Sequence, residues 1–210
     1  MSAGRGKFEV RSLDGPGLWF TDVSRYYSWA TGQLANLRSM HARIEAEDDT
    51  DLVPGVDVER EHVSETRWSG YLERNMVSDT IVVFSAMAAE AFLNFYGVVR
   101  LGEAEFTTHF ERLGIVPKAR ELLLVCDSLS LTARDPMILA IATLAGRRNA
   151  LVHPKTKEAG PDGSVLEKWK RPVLENAAAA VEELNAFLRE FRSLVPNAAH
   201  LLPHALRAEA

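Results

Sequence analysis

A long stretch with helical patterning, over residues 64–99, constrains the fold of this 210-residue chain more than any other feature. Its length predicts one long helix, or two helices separated by a break. In its second half, apolar residues occur nearly all round the predicted helix. That pattern is typical of a helix that is packed centrally or covered at a dimer surface. We therefore expect the other elements to pack around this helix.

The rest of the chain has almost wholly helical patterning. Apolar residues at helical spacing predict a first helix over residues 22–47, two short helices over 103–113 and 117–128, and a last helix over 172–194. Another helix is expected to begin at Asp135-Pro136, because Asp is a good N-cap and Pro suits the first helical position. The sequence thus predicts an all-α fold, an up-and-down helical bundle.

Three segments differ from this helical pattern. Residues 1–20 are rich in glycine and predict an irregular arm with a short strand around Phe8 to Val10. An acidic run over residues 45–51, followed by Pro54-Gly55, predicts a loop, and so does the Lys-, Gly- and Pro-containing segment 154–171. The expected organisation is an arm over 1–20, a single helical domain over 21–195 and a C-terminal tail over 196–210.

A polar cluster closes the helix that begins at Pro136. Successive helical residues are about 100° apart, so Arg148, Asn149 and His153 fall within an arc of roughly 140°. Pro154 disfavours helical geometry at His153, which places the imidazole on the last turn, where the helix dipole favours its protonated form. A guanidinium, an amide and an imidazole can then face one phosphate.

This trio suits cleavage of RNA without a metal. Such a reaction needs a group that moves a proton to or from the reacting oxygens, and a cation that stabilises the extra charge of the transition state. His153 suits the first role and Arg148 the second, while Asn149 can orient the ring or bind a phosphate oxygen. The alternative is structural, because basic residues at the C-terminus of a helix are also ordinary caps.

The sequence from Arg148 to His153 resembles the signature of the HEPN superfamily, in which Arg, a polar residue and His close a late helix. Residues 84–94, with a Glu followed by an aromatic-Leu-Asn step, are similar to the upstream helix of many members. The resemblance covers roughly residues 70–195 and implies a HEPN-like bundle that dimerises. It also implies a metal-independent endoribonuclease in which motifs from two subunits form one composite cleft.

Carried over by position, the resemblance implies that Arg148 and His153 are catalytic and that Asn149 supports them. Arg147 also fits the looser spacing to His153. The setting implied is a toxin or a defence against foreign nucleic acid, with an antitoxin protein as a partner. The alternative is a noncatalytic HEPN-like module that binds nucleotide, RNA or a protein, because many relatives with a similar core have lost activity. The third possibility is a structural dimer in which the basic cluster only caps a helix.

Glu90 and Asn94 lie one turn apart within the apolar helix, so they share a face. A buried carboxylate is costly unless it is paired. We therefore expect Glu90 to reach Arg147 or Arg148 and to support the site together with Asn94. The alternative is a polar pair at a solvent edge.

Composition limits the other classes of function. A net charge of −5 argues against a protein that coats nucleic acid nonspecifically, although a local basic cleft remains compatible with it. Basic residues do concentrate in and after the motif, as a binding patch or as an ordinary solvated loop: Arg147, Arg148, Lys155, Lys157, Lys168, Lys170 and Arg171. Among them, Lys155 is the expected substrate-binding residue.

The single cysteine, Cys126, excludes an internal disulfide and argues against a cysteine-based zinc site. We expect it to be a buried small side chain. No cofactor and no metal are expected. No N-terminal segment resembles a signal peptide, and residues 81–93 read as too short and interrupted to span a bilayer, so a cytoplasmic location is the default expectation.

Overall fold

The computed structural model describes residues 8–12, 15–19, 21–50, 65–152 and 172–207. Strands β1 (Phe8–Ser12) and β2 (Gly15–Trp19) form an antiparallel hairpin in which Phe8 is opposite Trp19. The short strand expected in the arm is thus confirmed, together with a second strand that pairs with it.

The rest of the described chain is helical, and the all-α prediction is confirmed. The helices are α1 (Val23–Thr50), α2 (Glu65–Leu101), α3 (Glu103–His109), α4 (Ile115–Asp127), α5 (Pro136–Val152), α6 (Val173–Leu194) and α7 (His204–Arg207), with a 3-10 segment (Pro196–Leu201) before α7. Helix α2 is the central element. It is unbroken and contacts α1, α3, α4, α5 and α6.

The main core lies where α2 meets α6. Phe92 makes edge-to-face contacts with Phe187 and Phe191, and Tyr96 makes another with Phe191. Such aromatic pairs add roughly 0.5–1.5 kcal/mol beyond the burial of their area. These four side chains fill the interior because α2 is apolar around most of its circumference.

A smaller cluster joins the first half of α2 to α1 and α6. It consists of Leu34, Leu37, Ile81, Ala177 and Val181, all buried. The C-terminal segment predicted as a tail also enters the interior, because Ala198, Leu201, Leu202 and Leu206 belong to the main core. The bundle is therefore closed by residues beyond α6.

The loop predicted over residues 45–51 is wrong for its first part, since α1 continues to Thr50. Glu45, the first acidic residue of that run, is exposed and lies 3.1 Å from His41 one turn earlier. Charges on a solvated helix face oppose helix formation only weakly. The remainder of that prediction, and the loop predicted over 154–171, lie outside the described residues.

The expected start of α5 at Pro136 is confirmed. The side chain of Asp135 does not bond the first turn of the helix, however. It accepts hydrogen bonds from the backbone N–H of Thr132 at 2.6 Å and from the Thr132 hydroxyl at 2.8 Å. Asp135 therefore closes the turn that precedes the helix.

Within α2, residues 69–101 are long and apolar enough to cross a membrane by length and composition, with a mean hydropathy of 1.6 in the most apolar window. The expectation from the sequence, that the apolar segment is too short to span a bilayer, concerned only residues 81–93. In the structure, 61% of that window is buried by the surrounding helices. A core helix passes the same test, so the stretch is weak evidence for a membrane span.

Candidate functional site at the end of helix α5

Arg147 ties the end of α5 to α6. Its Nε donates to both carboxylate oxygens of Glu183, at 2.9 Å and 3.0 Å, and its Nη1 donates to the side-chain oxygen of Asn176 at 3.0 Å. The two side chains of the ion pair are only 30% and 16% exposed. Hydrogen bonds to charged groups in such partly buried positions stabilise more than those at an open surface. Arg147 therefore has a structural role.

Arg148, the next residue, has a different environment. Consecutive residues on a helix are about 100° apart, so only one of the two arginines can face α6. Arg148 is partly exposed, and its Nη1 donates to the side-chain oxygen of Asn149 at 3.4 Å. Across the described ranges, no carboxylate lies within ion-pair distance of this guanidinium. Within the described part of the chain, the charge of Arg148 is therefore not compensated by a carboxylate.

Asn149 is exposed on the neighbouring face of α5. It follows Leu139, Ala142 and Gly146 at spacings of three and four residues, and all of these are exposed too. Leu139 is 52% exposed although it is apolar. This face of α5 thus carries small or apolar residues that end at the polar motif.

Two predicted residues, His153 and Lys155, lie outside the described residues. Their predicted roles remain predictions. Helix α5 is described as far as Val152, the residue before His153.

A pocket of about 360 Å³ lies beside the motif, between α2, α5 and α6. Its lining residues are Asn75, Ser78, Asp79, Val82, Arg147, Ala150, Leu151, Val173 and Asn176. Small-molecule sites have volumes of about 300–1,000 Å³, so this pocket is near the lower limit. It combines polar groups with apolar walls, as ligand sites do.

The expected pairing of Glu90 with Arg147 is wrong. Arg147 shares its pocket with residues 75–82 of α2, and Glu90 is 11 residues beyond Asp79, or about 16 Å along a helix axis. Nor does Glu90 pair with Arg148 among the described residues. The carboxylate of Glu90 instead lies 3.8 Å from the ammonium of Lys118 on α4.

Asn94 also serves Lys118, because its side-chain oxygen accepts a hydrogen bond from the ammonium at 2.7 Å. Lys118 is only 1% exposed, whereas Glu90 is 42% exposed. Burial lowers the pKa of Lys118, and the neighbouring Glu90 opposes that change. The pair Glu90 and Asn94 therefore supports a buried lysine of α4 at the edge of a second pocket, away from the motif.

The single cysteine lies in a polar contact at the ends of α2 and α4. Asp127 accepts a hydrogen bond from the Tyr96 hydroxyl and lies 3.2 Å from Arg100, whose guanidinium also donates to the backbone carbonyl of Cys126. Burial raises the pKa of the Cys126 thiol. Cys126 is only partly buried, so its expected burial is only partly met, and its raised pKa does not favour a nucleophilic thiolate.

Sequence reasoning did not identify Lys118, Asn176 or Glu183. The available signal was polarity on an apolar face: Glu183 follows Ala180 by three residues and precedes Phe187 by four, and both of these are fully buried. A carboxylate at that register needs a partner. The identity of the partner depends on how the helices pack.

In the part of the chain that the structure describes, no cluster of three or more His, Cys, Asp or Glu side chains is placed to hold a metal. Comparison with protein-family models, with curated proteins and with solved structures gave no match.

Proposed function

We propose that this protein is a metal-independent endoribonuclease whose site lies at the C-terminal end of α5. The observation that carries the proposal is the contrast between two adjacent arginines. Arg147 is held by Glu183 and Asn176, while Arg148 has no carboxylate partner among the described residues. A fixed helix end that presents an uncompensated guanidinium suits the binding of a phosphate.

In the proposed reaction, the 2′-hydroxyl of RNA attacks its adjacent phosphate. The bond to the 5′ oxygen of the next nucleotide breaks, which leaves a 2′,3′-cyclic phosphate and a 5′-hydroxyl. Arg148 stabilises the charge on the phosphate oxygens, and His153 moves the proton. Asn149, which contacts Arg148, orients these groups.

The proposed active form is a homodimer, in which two motifs face one cleft. The exposed face of α5 supports this proposal, because its small residues allow a second helix to approach closely and the exposed Leu139 supplies apolar contact. One imidazole then acts as the base and the other as the acid. A toxin or defence role in the cytoplasm, with an antitoxin partner, belongs to the same proposal.

A noncatalytic module that binds nucleotide or RNA at the same place is the second candidate. The pocket of about 360 Å³ beside the motif favours it, because a pocket of this size suits a small ligand. Both candidates use Arg148 as a phosphate ligand, and only the first needs the proton transfers of His153.

The test is cleavage of a labelled mixed-sequence RNA in excess EDTA by the wild type, Arg148→Ala and His153→Ala. Arg112→Ala, at an exposed arginine before α4, is the matched control. We expect cleavage by the wild type and by the control and its loss in both motif variants, all with unchanged circular dichroism. Binding of RNA without cleavage, weakened in Arg148→Ala alone, would establish the binding module instead.

A further inference from the structure

The two halves of α5 are packed differently. Residues 136–144 supply the buried side chains of this helix, which are Met137, Ile138, Ile141 and Leu144. In residues 145–152, every residue is exposed or only partly buried. This second half carries Arg148 and Asn149, and we call it the motif half. Local stability follows the number of buried apolar contacts, so we expect the motif half to open more easily than residues 136–144.

A pocket of about 360 Å³ lies between the motif half and α2. Arg147, Ala150 and Leu151 line it from α5, while Asn75 and Val82 line it from α2. Open space on one side of a helix removes the van der Waals contacts that a packed neighbour would supply. Leu151 does pack against the main core, but it is only partly buried. Contact with α2 therefore holds the motif half only weakly.

Gly146 weakens the helix at the place where the motif half begins. A Cβ at this position would meet no atom within 4 Å, so no close contact requires a glycine here. Relative to alanine, glycine inside a helix favours the open chain by about twofold to fivefold. Gly146 directly precedes Arg147, so the weak point and the ion pair with α6 are adjacent in the chain.

Arg147 attaches the motif half to α6. Its Nε donates to both carboxylate oxygens of Glu183, and its Nη1 donates to the side-chain oxygen of Asn176. Bonds from two nitrogens of one planar guanidinium fix its orientation as well as its position. Within the described ranges, no other side chain of the motif half forms a hydrogen bond or ion pair with another element. The polar contact with α6 is therefore the main hold on this half.

We propose that Glu183 is a positioning residue of the motif, which keeps the motif half helical and thereby holds Arg148 in place. Glu183 acts through Arg147 and does not contact the RNA. Loss of its carboxylate lets the motif half open from Gly146 onward. The effect on cleavage rests on the proposed function, whereas the effect on the helix is measured without RNA.

The first test is native-state amide hydrogen exchange of the full chain, with peptides from the two halves of α5 followed by mass spectrometry. Glu183→Met removes both acceptor oxygens, and Glu183→Gln keeps one of them. The matched control is Glu182→Met at the adjacent position of α6. Its carboxylate lies 2.6 Å from Arg189, but that ion pair is exposed and does not contact the motif half.

We expect the motif half of the wild type to exchange faster than residues 136–144. Glu183→Met should speed exchange of the motif half by about tenfold to a hundredfold, because a charge-assisted bond is lost. Glu183→Gln should have a smaller effect, and Glu182→Met should have none. Equal protection of both halves in the wild type, or an unchanged motif half in Glu183→Met, would overturn the inference.

A second-site change distinguishes positioning from direct contact with RNA. Gly146→Ala raises helix propensity, so in the Glu183→Met background it should slow exchange of the motif half by about twofold to fivefold. Glu183→Met should also lower kcat/KM for a labelled mixed-sequence RNA in excess EDTA by about tenfold or more, because small misplacements of reacting groups are costly. Gly146→Ala should restore part of that loss. No restoration, despite slower exchange, would show that Glu183 does not act by ordering the helix.

The outcome for positioning is separable from the outcome for cleavage. If exchange changes as expected while the wild type cleaves no RNA, the hold of Glu183 on the motif half stands and the nuclease proposal fails. If the wild type cleaves RNA and Glu183→Met cleaves it equally, the nuclease stands and the positioning role fails.

Discussion

Arg147 and Glu183 form a two-point ion pair between α5 and α6, with Nε of the arginine 2.9 Å and 3.0 Å from the two carboxylate oxygens. The pair joins residues that are 36 positions apart in the chain. It holds the end of α5 on the bundle at the point where the motif begins. Arg148, the next residue of α5, makes no such pair among the described residues and is partly exposed.

Replacement of the two arginines should therefore affect stability to different extents. Arg147→Met leaves Glu183 partly buried without its cation, and we expect it to lower the free energy of unfolding by about 1–3 kcal/mol. Arg148→Met should change stability by less than about 0.5 kcal/mol, because it removes no ion pair of the described chain. Urea unfolding of both proteins measures this difference. Equal losses would contradict the assigned roles.

A double-mutant cycle checks that the partner of Arg147 is Glu183. The combination of Arg147→Met with Glu183→Gln should cost less than the sum of the single changes, by about 0.5–3 kcal/mol, because contacting residues are coupled. The same cycle between Arg147 and Glu90 should show no coupling. Coupling to Glu90 would restore the sequence-based expectation that the structure contradicts.

Lys118 should make stability depend on alkaline pH. Burial lowers its pKa below the ordinary value of 10.5, so between these two values the unfolded chain binds more protons than the folded protein. The free energy of unfolding then rises with pH in that window. Lys118→Met should remove this rise, which is read from urea unfolding at a series of pH values.

Two comparisons sharpen that measurement. Burial raises the pKa of Tyr96, which lowers stability above pH 10, but this effect is common to wild type and Lys118→Met and cancels in their difference. Glu90→Gln removes the charge that raises the pKa of Lys118, so the window should begin at a lower pH. An unchanged profile in Lys118→Met would show that the lysine is solvated.

Gly97 should not tolerate a methyl group. A Cβ there would lie 2.5 Å and 2.7 Å from ring atoms of Phe106 and 3.0 Å from Leu122. Overpacking of this kind costs about 1–3 kcal/mol, against a gain in helix propensity of about 1 kcal/mol. We expect Gly97→Ala to lower the melting temperature.

The matched control for that substitution is Gly32→Ala. A Cβ at Gly32 meets no atom within 4 Å, so the substitution should stabilise α1 by about 0.5–1 kcal/mol. The two changes are chemically identical and should shift the melting temperature in opposite directions. A shift of the same sign for both would refute the close contact between α2 and α3.

Asp135 should titrate below its ordinary pKa of 3.8, because the hydroxyl and the backbone N–H of Thr132 donate to its carboxylate. A lowered pKa in the folded state stabilises the protein above 3.8, and this contribution is lost as pH falls through the lowered value. Thr132→Val removes one donor and should return the pKa part of the way. NMR titration of the Asp135 carboxyl carbon measures both values.

The helices were readable from the sequence because their signals are local. Apolar spacing predicted α1 and α6 to within a few residues, and Asp135-Pro136 predicted the start of α5. Boundaries were less predictable where charge was the only signal, as at the end of α1. There a run of acidic residues is compatible with either a loop or a helix.

The sequence by itself determined that the chain is a helical bundle around one apolar helix, and it located the polar cluster at the end of α5. Only the tertiary structure shows that Arg147 forms an ion pair with Glu183 and that Arg148 has no such partner among the described residues. Only the tertiary structure shows that Glu90 and Asn94 contact Lys118. The physical reason is that periodicity records which face of a helix is buried. The partner of a polar group on that face depends on the axial position of a neighbouring helix, which no local pattern encodes.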